Sequence, residues 1–126
     1  MKLNHLDLQV SDVQSLAGFL EQHFELERIT NDRSPAIAIL HDRAGFTLVI
    51  QRRRDDRPYP EGFHIGFIQG DAATVHAHHA RLTAAGLSLS PIDVNARGTR
   101  FYLHAPGDIL VEVSSPERSE GLATAP

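Results

Sequence analysis

No cysteine occurs in this chain of 126 residues, so disulfides and thiolate metal sites are excluded and any metal falls to imidazole and carboxylate. There is no apolar run long enough to span a bilayer, and the N-terminus has no charged-then-apolar leader. A surplus of positive charge is missing too. The formal net charge is −4, and the one basic run, Arg52 to Arg54, is followed at once by Asp55 and Asp56. Nucleic acid and anionic membranes are therefore not expected partners. What remains, with 41% apolar and 22% charged residues, is a soluble protein expected in the cytoplasm and sized for one domain with its own core. Eight histidines are many for this length, so their positions carry information.

The first segment alternates as a strand does, with Leu6, Leu8 and Val10 on one side and His5, Asp7 and Gln9 on the other. Ser11 and Asp12 supply a helix start, after which Val13, Leu16, Ala17, Leu20 and Phe24 recur at helical spacing and predict a helix from about 13 to 23. Strand-like runs follow near 25–30, 36–41 and 46–51, with Gly45 turning between the last two. A charged connector with Pro58 and Pro60 covers about 53–62. Beyond it the order repeats: a strand at 63–69, a cap at Asp71, a helix at 72–85 ended by Gly86, and strands near 87–94, 99–104 and 109–114. The reading is an α+β protein of two βαβββ modules, about 2–52 and 63–115, whose curved mixed sheet forms a cup with the helices outside, followed by a mobile tail at 116–126.

A constant shift of 59 places His5 on His64, Leu6 on Ile65, Leu8 on Phe67 and Asp12 on Asp71. Further on, Ile39, Leu40 and His41 match Tyr102, Leu103 and His104, and anchoring Gly45 on Gly107 puts Ile50 opposite Glu112. Alternation turns both module-opening histidines away from their helices, so a pseudo-twofold pairing of the modules makes them converge. Glu112 sits among apolar residues in the last strand, where a carboxylate is costly unless its charge is compensated, and a metal ion would compensate it. His5, His64 and Glu112 then form a facial triad with open positions, suited to Fe, Mn, Zn or Ni. The cluster His76, His78 and His79 lies in the second helix; His79 is expected against the sheet, with His76 and His78 in solvent.

The stretches Asn4 to Val10, Phe63 to Phe67 and Phe101 to Glu112 resemble the vicinal oxygen chelate superfamily, which includes glyoxalase I, fosfomycin-resistance transferases, extradiol dioxygenases and bleomycin-resistance proteins. The resemblance covers about 2–115. It implies one divalent ion held by His5, His64 and Glu112, a small-molecule substrate that chelates the ion through two oxygens, and a homodimer. It also implies a catalytic role for Glu112 and for Tyr102, which stands ten residues before it. Glyoxalase I has a further carboxylate ligand where this chain has Ile50, so its proton shuttle is not expected here. Fosfomycin transferases bind their phosphonate and potassium at places where this chain has Ile92, Ala96, Arg100 and Gly121. The substrate pocket is expected to draw on Asp7, Gln9, Ile50, Arg52, Arg100 and His104. The expected activity is a metal-dependent lyase, dioxygenase or transferase other than a standard glyoxalase I. The alternative is a resistance-type protein that binds a drug or metabolite in the same cup, with or without metal.

Overall fold

One order of elements, strand, helix, then three strands, occurs twice in the computed structural model, which describes residues 1–30 and 33–118. The first set is β1 (His5–Val10), α1 (Val13–Phe24), β2 (Glu27–Arg28), β3 (Ile37–His41) and β4 (Thr47–Arg52). The second is β5 (His64–Ile68), α2 (Ala72–Ala84), β6 (Asp93–Asn95), β7 (Gly98–Ala105) and β8 (Ile109–Ser115). Each set makes its own four-stranded mixed sheet, ordered β1-β4-β3-β2 and β5-β8-β7-β6. The chain accordingly divides into two compact units, the first ending at Pro58 and the second beginning at Tyr59. This is the doubled α+β module that the repeat implies.

In the first unit, β1 lies parallel to β4, and β4 and β3 are antiparallel. Only a crossover can join parallel neighbours, and α1 makes it. Asp12 caps this helix by accepting from Ser15 N at 3.1 Å. Its inner face of Val13, Leu16, Ala17 and Leu20 is buried with Leu8, Val10, Ala38, Leu40, Leu48 and Ile50 from the sheet, none more than 4% exposed. Burying a side chain of this kind stabilises the fold by roughly 1.5–3 kcal/mol. The strand expected at 25–30 is shorter than its β-branched residues suggest. Glu25 closes the helix in the left-handed region at φ 58, and Leu26 N reaches back to Leu20 O, so the helix end uses the backbone that would start the strand.

The second unit repeats the plan. Asp71 caps α2 through Thr74 N at 2.7 Å, and Ala72, Val75 and Leu82 are buried along with Phe101, Leu103, Val111 and Val113. The strand expected at 87–94 is reduced to β6. Ser90 still pairs locally with β7, donating from its N to Tyr102 O at 2.9 Å and accepting at its hydroxyl from Tyr102 N at 2.8 Å. Pro91 follows and has no N–H to continue a ladder. Gly98 starts β7 at φ +117, where a Cβ would come within 2.0 Å of Ser115 O, so any side chain there displaces the end of β8. After β8, Glu117 is tied in by Ala72 N, which donates to its Oε1 at 3.2 Å, and by the Thr99 hydroxyl on its carbonyl at 2.8 Å. The tail expected to be mobile thus begins with a held segment; its part at 119–126, including Gly121, lies outside the described residues. His79 does lean on the sheet, its ring edge-on to Phe101 at 4.9 Å and its Nε2 3.0 Å from Ser90 O. His76 is half-buried rather than solvated, and its Nε2 is buried without a hydrogen-bond partner among the described residues.

Candidate functional site

Strand alternation sorts the second sheet into two faces. Phe101, Leu103, Val111 and Val113 go to the buried face, leaving His64, Gly66, Arg100, Tyr102, His104, Leu110, Glu112 and Ser114 on the other. Register sets these in rows across β5, β8 and β7. His64 lies beside Leu110 and then His104, Gly66 beside Glu112 and then Tyr102, and Ser114 beside Arg100.

Glu112 is the hub of this face. Its Oε1 accepts from the Tyr102 hydroxyl at 2.7 Å and from Arg100 Nη1 at 3.2 Å, while its Oε2 accepts from the Ser114 hydroxyl at 3.3 Å. Burial by itself pushes this carboxyl's pKa up. The Tyr102 hydrogen bond, the charges of Arg100 and His64 and the Ser114 hydroxyl outweigh burial, so Glu112 ends below its ordinary range. Tyr102 moves the opposite way: its hydrogen bond to Glu112, followed by burial, raises its pKa and keeps the phenol protonated. The cost of burying Glu112, which suggested a metal counter-ion, is thus met inside the protein by Arg100, whose side chain is 10% exposed against 13% for Glu112. Arg100 was expected to meet substrate; it lies buried on the carboxylate. The signal for this was present in the sequence, because a diagonal neighbour two residues along the facing strand is within reach of a long side chain.

His64 is exposed at the start of β5, with its ring perpendicular to that of Tyr102 at 6.1 Å between centroids. Its Nδ1 is 2.8 Å from Gly62 O. A carbonyl only accepts, so in the neutral ring this bond places the proton on Nδ1 and leaves Nε2 as the nitrogen with a lone pair. His5, the repeat partner, has the same arrangement in looser form, with Nδ1 3.4 Å from Thr47 O. An imidazole whose second nitrogen donates to a carbonyl is prepared for ligation. Glycine at position 66 leaves one side of the carboxylate open: a Cβ there would lie in contact with Glu112 Oε2 at 3.7 Å. The donor chemistry of these residues fits a divalent ion. Taken by itself, the second unit brings two of the expected ligands to one face, and His5 stands in the first. Among the described residues no group of three His, Asp or Glu side chains is gathered closely enough to hold an ion.

The other expected site residues divide by parity. Asp7 and Gln9 are exposed on the face of β1 that carries His5, and Asp7 Oδ2 accepts from Gln51 Nε2 at 2.5 Å across the parallel pair. His104 is exposed and pairs with Asp108 at 3.1 Å. Ile50 does not line that face; it is wholly buried opposite Leu8 and Ala38, on the side covered by α1. Arg52 shares the parity of Ile50 and is exposed at the end of β4. The register also corrects the match between modules. Ile39 pairs with Val49 as Tyr102 pairs with Glu112, so Val49 is the first-unit counterpart of Glu112. Ser114 and Gly66 were not anticipated, and only the register brings them to Glu112.

Residues 2–113 are matched by the family profile of the Glyoxalase/Bleomycin resistance protein/Dioxygenase superfamily. The structure of a possible glyoxalase from Bacillus cereus shares 33% identity at a TM-score of 0.79, covering 90% of this chain and 98% of that one. The fold is shared with a genomically encoded fosfomycin resistance protein from Listeria monocytogenes, at 23% identity, 98% coverage of each chain and a TM-score of 0.72. It is shared too with lactoylglutathione lyase from Agrobacterium tumefaciens, at 17% identity, a TM-score of 0.75 and coverage of 90% of this chain and 92% of that one. Comparison with curated protein sequences gives no match. No helix among the described residues is long and apolar enough to cross a membrane.

Proposed function

The chain belongs to the Glyoxalase/Bleomycin resistance protein/Dioxygenase superfamily, and from that premise we propose that it is a divalent-metal-dependent enzyme acting on a small molecule that presents two oxygens to the ion. The observation that carries this reading is the contact of His64, whose Nδ1 is engaged by Gly62 O at 2.8 Å, which leaves Nε2 as the nitrogen for a ligand on the face that holds Glu112 and Tyr102. His5, His64 and Glu112 are the residues that would hold the ion, of which Fe, Mn, Zn and Ni all suit the donor set. When bound, such an ion supplies Lewis acidity or, if iron, redox capacity.

The protein's own groups do the rest. Glu112 stays ionised because Tyr102, Arg100 and Ser114 stabilise its charge. Tyr102 stays protonated and is a hydrogen-bond or proton donor toward negative charge that develops on a substrate oxygen. Asp7, Gln9 and His104 are proposed as polar contacts to substrate, with His104 held by Asp108. We place the protein in the cytoplasm as a homodimer, since two-module members of the superfamily pair; a monomer by light scattering at micromolar concentration would count against this.

A second reading is favoured by the Arg100–Glu112 pair itself. A carboxylate already neutralised from within does not require an ion, which suits a resistance-type protein that binds a drug or metabolite without metal. Elemental analysis separates the two. The enzyme should take up close to one ion per chain after incubation with Mn, Fe, Ni or Zn, and a chain that stays metal-free with all four sinks the first reading.

A further inference from the structure

We infer that Arg100 is a positioning residue that withholds one oxygen of Glu112 and so sets how tightly, and which, divalent ions the site accepts. This rests on the metal-dependent reading above. The guanidinium is fixed at two ends, with Nη1 on Glu112 Oε1 at 3.2 Å and Nη2 on the carbonyl of Arg97 at 3.1 Å. Its side chain is 10% exposed, and its Nε is buried with no hydrogen-bond partner among the described residues.

The two oxygens of Glu112 are treated unequally. Oε1 carries both strong donors, Tyr102 at 2.7 Å and Arg100 at 3.2 Å. Oε2 has the Ser114 hydroxyl at 3.3 Å, with Gly66 leaving its flank open. A cation would therefore meet Oε2 alone, with a fixed positive charge on the same carboxylate opposing it. Repulsion between a guanidinium and a doubly charged ion is strong where burial limits solvent screening. The penalty falls unevenly on different ions. Mn and Mg depend on carboxylate oxygen, whereas Zn and Ni bind well to imidazole, so weakening Glu112 as a donor biases the site toward the latter. The same contact keeps the Glu112 side chain aligned.

The test uses the full chain, stripped with chelator, as wild type, Arg100→Met, Arg100→Gln and Arg100→Lys. Mn(II) binding is followed by the paramagnetic resonance of the free ion, and Zn(II) binding by competition with a chromophoric chelator. Removing the charge in Arg100→Met or Arg100→Gln should tighten Mn(II) by about tenfold or more and Zn(II) by clearly less, while Arg100→Lys stays near wild type. A merely structural Arg100 would instead lower the melting temperature in all three variants and tighten neither ion. If Arg100→Met does not fold, Arg100→Gln carries the same comparison. Mn(II) affinity that is unchanged or weaker in the folded neutral variants overturns the inference and leaves the metal-dependent reading standing. A wild type that binds no ion beside neutral variants that do supports the inference and defeats the metal reading for the native chain. Failure of all four proteins to bind any ion overturns both.

Discussion

Tyr102 and Glu112 occupy directly paired positions of β7 and β8, and the phenol donates to Glu112 Oε1 at 2.7 Å. This contact couples the phenol to the carboxylate that keeps it protonated. Tyr102→Phe removes the donor while keeping the ring. It should leave the binding of a catechol or 2-hydroxy-ketone within a few-fold, read from the absorption of the metal-loaded protein, and slow any turnover by about 10²–10⁴-fold. Equal loss of binding and rate would make Tyr102 a wall of the pocket and no more.

His64 and Glu112 are both assigned to the metal, yet they should respond differently to removal. His64 is exposed, so His64→Ala should lower bound metal at least about tenfold with the fold unchanged. Glu112→Ala strands the buried guanidinium of Arg100 and should also destabilise the chain by about 3–5 kcal/mol in urea unfolding. Adding Arg100→Met should recover most of that stability without recovering metal. His64→Ala protein that keeps its full metal content would remove His64 from the ligand set.

Val49 stands where a second carboxylate would mirror Glu112, and the buried Ile50 beside it cannot replace one. Turnover of methylglyoxal hemithioacetal should therefore be negligible with Zn or Ni, because a missing general base is worth roughly 10²–10⁴-fold in rate. Brisk turnover would contradict this and direct attention to Asp7, which pairs with Val49 across β1 and β4 on the face of His5. Asp7→Asn would then be the variant that abolishes it.

The two helix caps make stability depend on pH. The Ser15 hydroxyl and backbone N–H hold the Asp12 carboxyl below its ordinary pKa, and Thr74 does the same for Asp71. A folded pKa below the unfolded one means that the contribution is complete above the unfolded value, about pH 4, and is lost as pH falls through the folded value. Asp12→Ala and Asp71→Ala should each lower the melting temperature by a few degrees at neutral pH, with the gap to wild type closing in stronger acid. A gap that persists unchanged into acid would mean that the caps act through the helix backbone and not through their charge.

Much of this was legible in the residues. Alternation in β1, β5 and β8 gave the facing of His5, His64 and Glu112, because a strand whose other face is apolar has one register. Asp12 and Asp71 marked both helix starts. The mismatch at Ile50 has a specific physical origin. Gly45 aligns by identity with Gly107, but the strand register makes Asp108 its counterpart; Gly107 and Asp108 both hold positive φ, at 84 and 59, as Gly45 does at 98. Identity at a turn is a poor guide when either glycine or aspartate can fill the same conformation, and an error of one residue exchanges the two faces of a strand. The Arg100–Glu112 pair was hidden for another reason. Alternation says which side a residue faces, while the choice between an open pocket and a neighbouring carboxylate depends on side-chain reach across strands.

Every ladder described above is drawn from one continuous stretch of chain. All four strands of the first sheet precede Pro58, and all four of the second follow Tyr59. Among the described residues, a cut between these two severs a peptide bond and no strand pairing. The gene is therefore divisible at that codon boundary into two coding halves, each encoding a whole sheet with its capped helix, and the same point is a natural place for new termini in a permuted chain.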